Sequence, residues 1–316
     1  MLVQKVKMKI VGITMLTDPD YRQDPWRECL RQMLEVCDEA VVVVGQPADI
    51  DLVGDFCRQA GIIERVEVDY LHWPQPGWDY SELPFHLNRA LELARARGAD
   101  WIIKFDADCF IHENDAAELR HQLGRADEKK ASVATFVKLQ FFLVDRACIK
   151  TQVPFAVRGK SDVWYGKNQE KYTDLCQPII LPANRDNWHF EHPAGTANPI
   201  PVGPAVPRGL QVFTGVFVWN YDYSFKTEER SKELLYEFDR SHAKFWGVSY
   251  AHRQIQEVTP ETALADYLKS VAGPRIKKCT KRLQPDDHPK WIRERVRNIR
   301  PEEFGHSLWN KIKYEL

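Results

Sequence analysis

Residues 85–115 read FHLNRALELARARGADWIIKFDADCFIHEND. Leucines and alanines recur at helical spacing, which predicts a helix from about Pro84 to Arg97 with Gly98 as its left-handed stop. Trp101 to Ala107 follows as a short apolar run suited to a buried strand. The strand ends in Asp106-Ala107-Asp108. D-x-D occurs three times in the chain, at 18–20, 49–51 and 106–108. The first holds a proline in a loop, and the second opens a helix as a cap. Only the third stands at the carboxyl edge of an apolar strand.

That placement carries chemistry. Strand side chains alternate, so Asp106 and Asp108 would converge on one side of the sheet edge. Two carboxylates held together repel unless a cation joins them. A hard divalent ion, Mn²⁺ or Mg²⁺, takes oxygen ligands and shares them with phosphates, and a neutralised diphosphate leaves more readily. The plainer alternative is a pair of carboxylates capping the helix around Asn114 to Leu123.

Outward from this stretch, strand and helix patterns alternate. Lys9 to Met15, Ala40 to Gly45 (AVVVVG) and Ile62 to Val68 read as strands, the second continuous in Val as central parallel strands are. Asp24-Pro25 reads as a cap and first turn, with Trp26, Cys29, Leu30, Met33, Leu34 and Cys37 forming one apolar stripe behind it. Strand–helix–strand units with short links predict an α/β fold with an open, mostly parallel sheet covered on both faces. Ligands of such sheets bind beyond the carboxyl strand ends. Beyond Leu123 the pattern turns to β segments at Ser132–Val144, Phe155–Tyr165 and Gln211–Trp219. The run 193–209, with five Pro and three Gly, predicts no regular structure and serves as a mobile cover or a plain connector. From Thr227 the chain reads helical. Three parts result: 1–125 as an α/β half, 126–225 as a β-rich half of the same domain, and 226–316 as a helical C-terminal extension.

The stretch 85–115, with an Asn-bearing helix before a hydrophobic strand ending in D-x-D, resembles the GT-A-fold glycosyltransferases of the family 2-like kind. The order of the strands KIVGITM, AVVVVG and WIIKFDAD is similar to that family's nucleotide-sugar half. The likeness covers 8–125 well and 126–225 loosely, and implies nucleotide-sugar binding for the 1–125 half and the acceptor side for the 126–225 half. It implies a GT-A-like doubly wound sheet and a metal-dependent, inverting transferase that moves a sugar from a nucleotide diphosphate donor, a UDP-sugar above all, to a hydroxyl acceptor. Carried over, Asp106 lies near the ribose and the metal, and Asp108 binds the metal. Thr14 approaches the nucleotide, and Asn88 braces the sugar-nucleotide loop. A third metal ligand in this fold comes from a late strand, where Asn220 replaces the expected His and Asp222 stands two residues on. The family's acidic turn after the second strand is missing here (Gly45-Gln46-Pro47-Ala48-Asp49).

Inverting transfer needs a carboxylate to take the acceptor's proton. Asp174, in KYTDLCQPIILP, resembles an acidic position found in related sequences; Asp162 and Glu191 are the other candidates. In NWHFEH (187–192), His189 and His192 would share a helix face and line an acceptor site. Trp73 and Trp78 flank a Pro-rich loop and would either stack on a sugar or base or pack the loop onto the sheet.

Composition narrows the rest. The chain has 316 residues, 44 Lys plus Arg, 45 Asp plus Glu and a net charge of −1. Ten Trp, fifteen Phe and eleven Tyr need a core and exclude disorder. No run reaches the ~18 apolar residues of a membrane span, and the first residues lack a signal-peptide core. The expected location is the cytoplasm, with a membrane periphery as the variant. Seven cysteines without C-x-x-C spacing predict free thiols rather than a disulfide framework or a zinc site. The basic run PRIKKCTKRLQ (274–284) suits phosphate contacts or an anionic membrane surface, although charge near zero argues against a dedicated nucleic-acid binder. Acceptor glycan, lipid-linked glycan, protein and modified nucleic acid all fit. The rival enzyme class is a sugar-phosphate nucleotidyltransferase, which would place a Gly-rich loop after the first strand where TMLTDPDYRQD has no Gly. The non-enzymatic rival is a nucleotide-sugar- or glycan-binding protein on the same fold.

Overall fold

Successive valines at 41 to 44 are all fully buried yet belong to two different cores. Val42 and Val44 pack with Trp26, Met33 and Phe105, while Val41 and Val43 pack with Leu87, Leu91 and Ala94. A continuous apolar run as a strand has this consequence when both faces are covered. The computed structural model describes residues 8–74, 81–169, 176–192, 199–249, 254–279 and 282–306.

The first half contains strands β1 (Ile10–Leu16), β2 (Glu39–Val44), β3 (Val66–Tyr70), β4 (Trp101–Lys104) and β5 (Cys109–Ile111). Its helices are α1 (Trp26–Val36), α2 (Pro47–Gln59), α3 (Leu83–Ala96) and α4 (Ala116–Glu128). Strands β6 (Val133–Leu143), β7 (Arg146–Arg158), β8 (Val163–Asn168), β9 (Gln177–Ile180), β10 (His189–Glu191), β11 (Ile200–Gly203) and β12 (Gln211–Asn220) follow. The chain then enters α5 (Glu228–Trp246), α6 (Pro260–Tyr267), a widened π turn at Leu268–Ala272, α7 (Gly273–Ile276) and α8 (Arg293–Arg297).

The main sheet runs β3-β2-β1-β4-β7-β6-β12-β5. The pairs of β1 with β2 and β4, of β2 with β3 and of β6 with β12 are parallel. Only β7 and β5 run against the rest. The fold is therefore α/β and GT-A-like, with a mostly parallel, doubly covered sheet. A second sheet, β10-β11-β8-β9, lies apart from it. Gly12 shows how closely α1 packs: a Cβ there would stand 2.4 Å from the Met33 sulfur. A third core joins Phe142 and Leu143 of β6 to Leu235, Leu264, Leu268 and Ile276 of the C-terminal helices.

Several local expectations change. Asp24 does not cap α1, whose N-cap is Pro25 without a side-chain bond; its carboxylate is drawn instead to Lys226 and Arg22. Asp49 lies inside the first turn of α2, behind Gln46 at the cap, and accepts the Asp18 backbone N–H at 3.0 Å. The third strand begins at Val66, because Ile63–Arg65 form a 3₁₀ turn. In the Pro-rich run, Ile200–Gly203 is a strand: it pairs with β10 on one side and β8 on the other, and neighbours on both edges outweigh the poor strand propensity of Pro201. His189 sits on strand β10, not on a helix. The cysteines are free thiols, but the fold brings Cys148 and Cys279 together with sulfurs 2.7 Å apart. Among the described residues, no helix is long and apolar enough to cross a membrane.

Candidate functional site

Strand β4 stops at Lys104, so Asp106 and Asp108 lie just past its end rather than within it. The expected alternation of side chains therefore does not bring them together. A turn does: the Cys109 N–H donates to the Asp106 carbonyl at 2.8 Å, and the chain reverses into β5 against β12. Ligand atoms of Asp106, Asp108 and Cys109 all lie within 4.8 Å of one another. The last residue of β12, Asn220, reaches the same point, its Nδ2 donating to Asp108 Oδ1 at 2.8 Å and to the Cys109 sulfur at 3.3 Å. Asp222 follows in a left-handed conformation, φ 35°, which a non-glycine residue holds only at a cost of about 1 kcal/mol or more. Its Oδ2 accepts from Gln140 Nε2 at 3.0 Å and from the Tyr267 hydroxyl at 3.4 Å.

Asp106, Asp108, Asn220 and Asp222 line a cleft of ≈ 300 Å³ at the carboxyl ends of β1, β4 and β12, together with Thr17, Arg22, Asp24, Lys104, Lys138, Cys176 and Lys226. Charge is arranged unevenly. Asp24 is matched by Lys226 and Arg22, and Asp106 by Lys104 at 2.7 Å. Burial alone would raise Asp106, but Lys104 and Lys138 outweigh it and hold the carboxyl below its usual range. Asp108 goes the other way. Burial, and then the Asp222 carboxylate, push it up to about 7. Lys138 rises despite its burial, because Cys109, Asp106, Asp108 and Asp222 surround it.

One atom tests whether a cation suits this place. Asn220 Oδ1 is buried without a hydrogen-bond partner, beside a carboxylate whose charge a second carboxylate disfavours. Leaving such an acceptor unpaired costs about 1–3 kcal/mol. A hard cation coordinated by Asn220 Oδ1, Asp108 and Asp222 would remove both penalties, so the donor set fits Mg²⁺ or Mn²⁺. Asp106, already paired with Lys104, has less need of one.

The other expected site residues scatter. Thr14 is buried within β1 with its hydroxyl unpartnered; Thr17, three residues on, is the threonine that lines the cleft. Asn88 accepts from the Tyr165 N–H at 2.7 Å and donates to the Tyr165 carbonyl at 2.8 Å, which clamps β8 to α3. Glu191 pairs with Lys167. Glu191, Asp162, His189 and His192 are absent from the described lining of the cleft. Trp73 is fully buried and packs the loop. Trp78 and Asp174 lie outside the described residues. Reading the sequence missed Lys104, Lys138 and Lys226. Lys104 was legible as the residue two before Asp106, and Lys138 as the lone cation in the apolar run VATFVKLQFFL.

No family model and no curated protein matches the chain. Among solved structures it is similar to S. aureus TarS 1-349, at 14% identity over 98% of this chain and 93% of that one, TM-score 0.39. The same protein has been solved in complex with UDP, TM-score 0.36. Against a longer TarS structure the match is 13% identical, covers 96% of this chain and 55% of that one, and has a TM-score of 0.37. A putative glucose-1-phosphate thymidylyltransferase from Bacillus anthracis matches 48% of this chain and 72% of its own at 11% identity, TM-score 0.31. Likenesses this distant leave the site to be argued from this chain's own geometry.

Proposed function

We propose that this chain is a metal-dependent, inverting glycosyltransferase that uses a nucleotide diphosphate sugar, a UDP-sugar first, and a hydroxyl acceptor. The observation that carries the reading is that Asp108, Asp222 and Asn220, whose Oδ1 is unpaired, line one cleft with several cations at the carboxyl strand ends. That is where a doubly wound sheet binds its ligand.

Asp108, Asp222 and Asn220 would hold Mn²⁺ or Mg²⁺. When bound, the ion supplies charge neutralisation to a diphosphate. Lys138, in no ion pair among the described residues, faces the same cleft and adds positive charge for the leaving group. Lys104 keeps Asp106 ionised, and so an acceptor of hydrogen bonds from donor hydroxyls. Asp18 and Gln23 hold the loop after β1 in left-handed turns, and Gln23 Oε1 accepts the Thr227 N–H at 2.8 Å. That loop therefore bridges the cleft's rim to α5. For the acceptor's proton, Asp174 is the proposed base, on the sequence resemblance.

The test is a turnover screen over nucleotide sugars with Mn²⁺, Mg²⁺ or EDTA, on the wild type and on Asp108→Ala. The expected result is hydrolysis of one donor that needs both metal and Asp108. Failure of every donor to turn over, together with no nucleotide binding by calorimetry, would remove the proposal. Metal-dependent binding of a nucleotide sugar that is never turned over, with or without acceptors, would mark a binding protein instead.

A further inference from the structure

Behind Asp222 lies a second cavity of ≈ 230 Å³, lined by Lys150, Asp222, Tyr223, Leu235, Phe238, Asp239, Asp266, Tyr267 and Arg275 among others. Asp222, Tyr223 and Phe238 belong to the walls of both cavities. The cleft and this cavity are thus neighbours separated by one carboxylate and two rings. The C-terminal helices α5 and α6 and the π turn roof the second one, against Lys150 of strand β7.

Where Lys150 of this cavity adjoins Lys138 of the first cleft, the sheet holds an arrangement that folding alone disfavours. Lys138 of β6 and Lys150 of β7 are directly opposite each other in the antiparallel ladder, where like charges repel. Arg275, from the basic run 274–284, adds a third cation from α7. Its Nη1 donates to Gln140 Oε1 at 3.1 Å, and Gln140 Nε2 in turn donates to Asp222. Among the described residues, none of the three cations forms an ion pair. Burial, then Arg275 and Lys138, bring the Lys150 ammonium down to about 8. Of the cavity's acids, Asp222 offsets part of this charge on Lys138 and Lys150 while also accepting from Gln140 and Tyr267, and Asp239 and Asp266 each have a further interaction of their own.

We infer that the second cavity is the acceptor subsite and that it selects an acceptor bearing an acid group, of the phosphate class, bound by Lys150 and Arg275. The inference rests on the transferase reading for the word acceptor, but the anion site stands on the cations themselves. An anion there relieves the cross-strand repulsion, and two fixed cations favour an oxygen-rich acid over a neutral hydroxyl. The adjoining wall at Asp222 puts the acceptor's hydroxyls next to the donor cleft.

The experiment titrates inorganic phosphate, and separately acetate, into the whole chain by calorimetry, with the first cleft saturated by UDP and Mn²⁺. The proteins are the wild type, Lys150→Met, Arg275→Met and the charge-keeping Lys150→Arg. The expected result is phosphate binding beside UDP, weakened at least tenfold by either Met substitution and retained by Lys150→Arg. Acetate binding with the same dependence would support the site and name a carboxylate as its ligand. Phosphate that binds only in competition with UDP, or equally to all four proteins, would overturn the inference. Should UDP itself fail to bind, the donor reading falls, and the same four titrations without nucleotide still decide the anion site. Unchanged melting temperatures exclude misfolding, and Lys150→Arg tells lost charge from lost packing.

Discussion

Replacing Asp108 by Asn should make the metal-free protein more stable. Burial and the Asp222 carboxylate raise the Asp108 pKa from 3.8 to about 7. A rise of that size corresponds to about 4 kcal/mol. The side chain is only half-buried, so water screens part of this and about 2–3 kcal/mol is the working figure. The sign follows from linkage: a carboxyl raised in the folded state is a penalty fully present above its folded pKa. As pH falls through about 7 the folded group takes up a proton and the penalty shrinks, vanishing below 3.8. Asn keeps the acceptor that Asn220 Nδ2 uses and removes the charge. Urea denaturation in EDTA should therefore show Asp108→Asn stabilised by about 2–3 kcal/mol at pH 8 and by less than about 1 kcal/mol at pH 4. Adding Mn²⁺ should raise the wild-type melting temperature and leave the variant's nearly unchanged. A variant that is less stable at pH 8, or equally stabilised at both pH values, would refute the account of a carboxylate pair awaiting a cation.

Two further outcomes follow from buried polar groups elsewhere. Asn88→Leu strands both backbone groups of Tyr165 and should cost about 2–4 kcal/mol in urea denaturation, whereas Asn88→Asp, which keeps the acceptor, should cost less; a neutral result for Leu would show that β8 does not depend on this clamp. His288, fully buried, is held down to about 4 by burial and hydrogen-bonds the Tyr221 hydroxyl at 2.6 Å. The unfolded chain protonates it near 6.5, so wild-type stability is intact above that pH and should drop by about 3 kcal/mol as pH falls to 4. His288→Phe alone leaves Tyr221 unpartnered at about 1–3 kcal/mol. Tyr221→Phe with His288→Phe should recover most of that and flatten the pH profile, and an unchanged acid slope would point to another group.

Much of this molecule was legible along the chain because the signals are local. Apolar runs and helical stripes placed β1, β2, α1 and α3 to within a few residues. A continuous Val run required two covered faces, and D-x-D at a strand end marked the cleft. Asn220 was reachable for the same reason, as the residue where a late strand stops. What could not be read is what the fold joins across distance. Asp106 and Asp108 converge by the turn that reverses into β5, not by strand alternation. Asp24 turned from a helix cap into the partner of Lys226, 202 residues away, because burying a lysine demands a carboxylate and helix caps are worth less. Asn88 and Glu191 keep company with Tyr165 and Lys167 for reasons of backbone satisfaction and charge pairing that no spacing displays. Lys138 and Lys150 belong to different strands, and only the register of β6 against β7 sets them opposite each other. Periodicity and end signals determined which elements form and where the cleft opens. Pairing of charges and of buried polar atoms, settled only when the sheet closed, decided which side chains occupy it.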